Sequence, residues 1–164
     1  MHNINPKLDL ILERHVDVPV ELVWKAWTTP EHLKKWFCPK PWQTTACTID
    51  LRVGGLFSTT MCGPDGESHS GKGCYLEIEE NKRLTWTDAL EADFRPNATP
   101  NACTNDFFSA TILFEGTDTG TKYTVIARHS NEESRKVHND RGFEQGWGTA
   151  LEQMVALIKN KEIS

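Results

Sequence analysis

From Leu8 to Val16 apolar and polar residues alternate, with Leu8, Leu10 and Leu12 on one face, which predicts a half-buried strand. The period then changes. Val20, Val23, Trp24 and Trp27 recur at i, i+3, i+4 and i+7, the spacing of one helical stripe. Pro19, with a fixed φ and no N–H, suits the first turn of that helix, and Asp17 favours its positive end. Thr29-Pro30 repeats the start signal with Thr29 as N-cap, and Leu33, Trp36 and Phe37 make a second stripe.

Alternation returns from Thr44 to Val53, where Cys47, Ile49, Leu51 and Val53 are the apolar positions. Gly54-Gly55 turns the chain into a strand from Leu56 to Cys62, and Gly63 to Gly73 reads as a mobile hairpin loop. Cys74, Leu76 and Ile78 mark the next strand, which Glu80-Asn81-Lys82 turns back into Leu84 to Leu90. Glu91 to Asn105 is irregular and of the length of a lid, a binding loop or a disordered segment. Phe107 to Glu115 and Thr121 to His129 form a last hairpin. Ser130 to Glu133 has the form of a capping box and opens a helix whose buried stripe is Phe143, Trp147, Ala150, Leu151, Met154, Leu157 and Ile158. Gly142, Gly146 and Gly148 predict a kink or a close backbone approach in its first half.

The order is strand, two short helices, six strands and one long helix, an α+β arrangement. Strands joined by short turns form an antiparallel meander, and the first strand completes a sheet of about seven. Such a sheet buries its apolar face under the long C-terminal helix, and a sheet curved around that helix leaves room for a pocket. Residues 1–164 are expected to be one domain.

Several segments together resemble the SRPBCC (START-like, polyketide-cyclase-like) superfamily, whose fold is the helix-grip. Within it the chain is similar to the C-terminal type of domain in the activator of heat-shock-90 ATPase homologue family. The matching pieces are VWKAWTTPEHL from Val23 with Trp36, DLRVGG from Asp50, MCGPDG from Met61, RLTWTD from Arg83 and GFEQGW from Gly142. The resemblance implies a domain that holds a hydrophobic small molecule. It also implies, by analogy alone, a chaperone partner or a stress-response interaction role. The eukaryotic co-chaperone of the family has a further N-terminal domain, so direct stimulation of a chaperone ATPase does not carry over.

Charge and composition narrow the classes. A formal charge of −5 with dispersed Lys and Arg argues against general nucleic-acid binding. No apolar run approaches the ~20 residues of a membrane span, and MHNINPKLDL lacks the features of a signal peptide, so a cytoplasmic location is expected. Five cysteines without a C-x-x-C pair fit neither a disulfide framework nor a zinc site. Cys47 and Cys74 read as buried thiols, while Cys38 and Cys103 would be reactive only with a lowered pKa. No cofactor or metal is implied, and a monomer and a homodimer both remain open.

The candidate chemistry is aromatic. Trp24 and Trp27 read as core, whereas Trp36, Phe37, Phe57, Met61, Trp86, Phe108, Phe114, Phe143 and Trp147 are candidates to line a cavity for a flat apolar ligand. Asp88 shares a strand face with Leu84, Trp86 and Leu90, so it is a polar handle or a paired structural group, or else, lying near the strand's end, it reaches solvent, the outcome that ranks first. His129 ends the last strand as a general base, a ligand donor or a satisfied structural histidine. A binding module ranks first, and an enzyme (cyclase, hydrolase or dehydratase) using Asp88 or His129 on an aromatic or polyketide-like substrate ranks second. Nothing here has the form of a nucleophile elbow or a phosphate-binding loop.

Overall fold

A computed structural model describes residues 3–101 and 104–164. Cys103 lies outside the described residues. The elements in order are β1 (Asp9–Val16), α1 (Val20–Thr28), α2 (Pro30–Leu33), β2 (Gln43–Ile49), β3 (Leu56–Cys62), β4 (Ser68–Glu79), β5 (Arg83–Thr87), β6 (Leu90–Glu91), β7 (Arg95–Pro96), β8 (Phe108–Thr117), β9 (Gly120–His129), α3 (Glu132–Asp140) and α4 (Phe143–Lys159). Seven strands form one antiparallel sheet in the order β1-β9-β8-β5-β4-β3-β2, and β6 pairs only with β7. β1 closes onto β9, with Leu10 opposite Ala127 and Leu12 opposite Val125. The predicted meander and the place of the first strand are both present.

The inner face of the sheet carries Leu10, Leu12, Phe57, Tyr75, Leu84, Trp86, Ala110, Ile112, Tyr123 and Val125, all buried together with Ala150, Leu151, Met154 and Ile158 of α4. α1 adds Val23, Trp24 and Trp27 from the predicted stripe. Removing these side chains from water supplies the main driving force, at roughly 25 cal/mol per Å² of apolar surface.

Local differences from the sequence reading have physical causes. α2 stops at Leu33 after a single turn, so Trp36 and Phe37 sit in the turn that follows rather than on a second helical stripe. Pro39 disfavours a helical residue before it. β2 ends at Ile49, because Asp50 to Gly55 close on themselves through Arg52 N–H to Asp50 C=O and Gly55 N–H to Arg52 C=O, both at 2.8 Å. Leu51 and Val53 are therefore exposed instead of buried. The expected mobile loop shrinks to residues 63–67, since Ser68 to Gly73 pair residue by residue with β3. Cross-strand pairing overrides weak local propensity there. β5 ends at Thr87, not Leu90, and Leu90 to Pro96 form a small hairpin around a 3-10 turn. The helix cap is Asn131, whose side chain accepts from Ser134 N–H at 2.8 Å, while Ser130 donates to Asp106. The expected kink is a full break: Gly142 has φ +91 and separates α3 from α4.

Candidate functional site

Trp147 of α4 meets Trp86 on the inner face of β5, and Trp27 and Phe37 from the segment after β1. Trp27 is the hub, with ring centroids 4.9 Å from Trp36, 5.5 Å from Phe37, 5.2 Å from Trp86 and 6.1 Å from Trp147. Phe57 joins Phe37 at 5.7 Å and Trp86 at 5.1 Å, and Trp147 stacks over Trp86 at 6.3 Å and 25°. At the centre these rings touch one another. Trp27, Trp36, Phe57 and Trp86 are buried, and Trp36 donates its indole N–H to Ala26 C=O at 3.2 Å.

Open space begins at the rim. Phe37, Met61 and Trp147 are half-buried. Thr59 pairs with Gly71 and shares the inner row with Phe57 and Met61, so Gly71 faces inward, and a Cβ built there meets nothing within 4 Å. Gly146 in α4 is equally unobstructed. It lies two turns before Gln153 on the same helix flank. Gln153 donates to Trp36 C=O at 3.2 Å and Cys38 C=O at 2.8 Å and accepts from Lys40 N–H at 3.0 Å. One glutamine thus fixes the segment that presents Phe37.

The remaining candidates form a second group. Asp88 Oδ1 accepts from Phe108 N–H at 2.8 Å, while its buried Oδ2 has no donor among the described residues. Burial pushes this carboxyl up to about 6, with the Phe108 N–H and the Asn101 side chain opposing. Half-buried Phe108 stacks on His129 at 6.1 Å. The two nitrogens of His129 are engaged, Nδ1 with Leu8 C=O and Nε2 with His138 Nδ1, each at 2.8 Å. A carbonyl only accepts, so His129 carries its proton on Nδ1, and His138 must donate from Nδ1. His138 meets Phe143 at 5.2 Å, and Phe143 meets Trp147 at 5.9 Å, which joins the two groups. Burial lowers both imidazoles, His138 to about 4. Phe114 stands apart, against Trp24 and Tyr123.

Two residues important to this geometry carried no sequence signal: Tyr75, an inner-face phenol with no hydrogen-bond partner among the described residues, and Gln153, outside the apolar stripe. His138, which the sequence offers with His129 and Glu144 only as a superficial metal grouping of no known spacing, is paired with His129 across a strand–helix junction. Burial raises the Cys38 thiol and pushes Cys47 up to about 11, which disfavours the reactive thiolate at both. Among the described residues no group of three His, Cys, Asp or Glu could hold a metal ion. Two hollows elsewhere, one of 520 Å³ beside Lys7, Glu132 and Arg135 and one of 360 Å³ between Val16 and the Leu151–Val155 flank, include none of these aromatic rings.

The family model for activator of Hsp90 ATPase homolog 1-like protein matches residues 17–159. The chain belongs to this family. No curated protein matches it. Among solved structures, a Nitrosomonas europaea protein is 43% identical with a TM-score of 0.91, over 97% of this chain and 99% of that one. A Mycobacterium smegmatis protein is 27% identical with a TM-score of 0.75, over 92% and 90%. An Arthrobacter aurescens protein is 26% identical with a TM-score of 0.78, over 94% and 87%. The family's START-like fold is therefore the fold of this chain. Among the described residues no helix is long and apolar enough to cross a membrane.

Proposed function

We propose that this protein binds a small hydrophobic or amphipathic molecule at the rim of the aromatic cluster, between the β3–β4 hairpin, the Trp36–Trp42 segment and the first half of α4. The observation that carries this reading is the half-buried set Phe37, Met61 and Trp147 at the edge of a buried aromatic cluster, with Gly71 on the inner row of β4 leaving open space opposite Thr59. A glycine inside a strand, with space above it, suits close approach by a ligand. Partly exposed aromatics supply the flat apolar surface that small-molecule sites use. Because the inner rings are in contact, a ligand enters by lying on Trp147 and Phe37 and displacing them from the rim.

The enzymatic alternative has lost one of its two groups, since His129 has both nitrogens committed to structural partners. Asp88 alone does not make an acid–base pair.

Gly71→Leu tests the binding reading. The new side chain points into free space and relieves the cost of glycine in a strand, about 0.5–1 kcal/mol. The variant is expected to melt no lower than wild type while losing at least about tenfold in affinity for 2-(2-naphthyl)ethanol, read by tryptophan fluorescence. Unchanged affinity in a folded Gly71→Leu protein would refute it.

A further inference from the structure

Along the inner rows of the strands the side chains are almost wholly apolar or neutral, and Asp88, the first residue past the end of β5, follows Leu84 and Trp86 at the same two-residue spacing. Arg14, the inner-row cation, is at the other end of the sheet and is spent on Glu144 at 3.1 Å. The position beside Asp88 on the neighbouring strand is Gly73, which brings no side chain to it, since Cys74 pairs with Thr87. The nearby charge that acts on Asp88 is another carboxylate, Asp106. Asp106 is itself occupied, accepting from Ser130 at 2.6 Å and Ser134 at 2.8 Å. Phe108 N–H and the Asn101 side chain hydrogen-bond this carboxyl, yet among the described residues its buried Oδ2 has no donor, and the neighbouring charge is a like one. Leaving such an oxygen unsatisfied is costly, and a donor brought by a ligand recovers that cost.

Asp88 is also two residues from Trp86 on the same row, roughly 7 Å along the strand. Trp147 lies nearly parallel to Trp86. Indole faces next to a carboxylate are the surroundings that a desolvated ammonium prefers. Resting on the binding reading above, we propose that the molecule held at this rim carries a protonated amine, which pairs with Asp88 while its apolar body lies against Trp147 and Trp86. Burial is what raises the pKa of Asp88, with the Asp106 charge adding to it, and an ammonium partner would offset both.

Three probes with one skeleton separate this claim from the binding reading: 2-(2-naphthyl)ethylamine, 2-(2-naphthyl)ethanol and 2-naphthaleneacetic acid, each titrated at pH 7.5 against wild type and Asp88→Asn. The substitution keeps an Oδ1 acceptor for Phe108 N–H. In wild type the amine should bind about tenfold or more tightly than the alcohol, and the acid most weakly. In Asp88→Asn the amine should fall to the alcohol's affinity, with the alcohol itself unchanged. Equal binding of amine and alcohol to wild type, or an amine preference that survives in Asp88→Asn, overturns the amine assignment and leaves the binding reading standing. Failure of all three probes to bind overturns both. If Asp88→Asn does not fold, the order of the three probes on wild type decides.

Discussion

Two buried tyrosines show how a single hydroxyl changes sign with its surroundings. Tyr123 accepts the Trp27 indole N–H at 3.1 Å, whereas the Tyr75 hydroxyl has no partner among the described residues. Tyr123→Phe leaves a buried N–H unsatisfied and should cost about 1–3 kcal/mol, while Tyr75→Phe removes an unsatisfied hydroxyl and should be neutral or stabilising by about 1 kcal/mol. Paired denaturant melts check both directions. The histidine dyad makes a pH prediction. Burial holds His138 down to about 4, below the ordinary 6.5. Between those values the unfolded chain takes up a proton that the folded one refuses, so stability falls as pH falls through that window. Asp88 works against this, because its folded-state pKa is raised to about 6 and the folded protein holds a proton that the unfolded chain has lost. His138→Gln should be less stable than wild type at pH 7 but lose less stability between pH 7 and 4.5, the difference amounting to up to about 3 kcal/mol. Parallel slopes for the two proteins would rule out this account of the dyad. Neither feature was legible in the sequence. Whether a tyrosine finds a partner depends on groups distant in the chain, and a nine-residue histidine spacing across a strand–helix junction matches no motif.

At the scale of elements, periodicity revealed most of the architecture. The alternation at Leu10 and Leu12, the stripe at Val23, Trp24 and Trp27, and the stripe from Phe143 to Ile158 each mark the buried face that the structure shows. Ends were less legible, because they are set by hydrogen bonds between segments. The Asp50–Gly55 turn expels Leu51 and Val53, and pairing with β3 draws Ser68 to Gly73 into β4. The latch on α4 was hidden for the same reason: Gln153 is a polar residue outside the stripe, and its role appears only when Trp36, Cys38 and Lys40 are brought beside it. Gln153→Ala should leave the sheet intact and loosen that one segment. Amide exchange at Lys40 should quicken by at least about tenfold, with protection in β8 and β9 retained. Exchange at Lys40 as slow as in wild type would show that Gln153 does not hold the segment.

Across the whole molecule, the family resemblance and the hydrophobic pattern agree on one START-like architecture, and the site follows from how that architecture is filled. Six tryptophans in one chain predicted an aromatic interior, and the tertiary structure divides them. Trp24 packs with Phe114 away from the rim, Trp27 and Trp36 form the buried centre, Trp86 and half-buried Trp147 lead outward from it, and half-buried Trp42 stacks on His69. That division depends on strand register and on the break at Gly142, so composition alone could not give it. The most direct test of ligand binding at the rim is a titration of nitrogen-15-labelled protein with 2-(2-naphthyl)ethanol, following the indole N–H resonances. Saturable shifts at Trp86 and Trp147, with Trp24 unmoved, are the predicted result. Shifts confined to Trp24, or no saturable shift at any tryptophan, would contradict it.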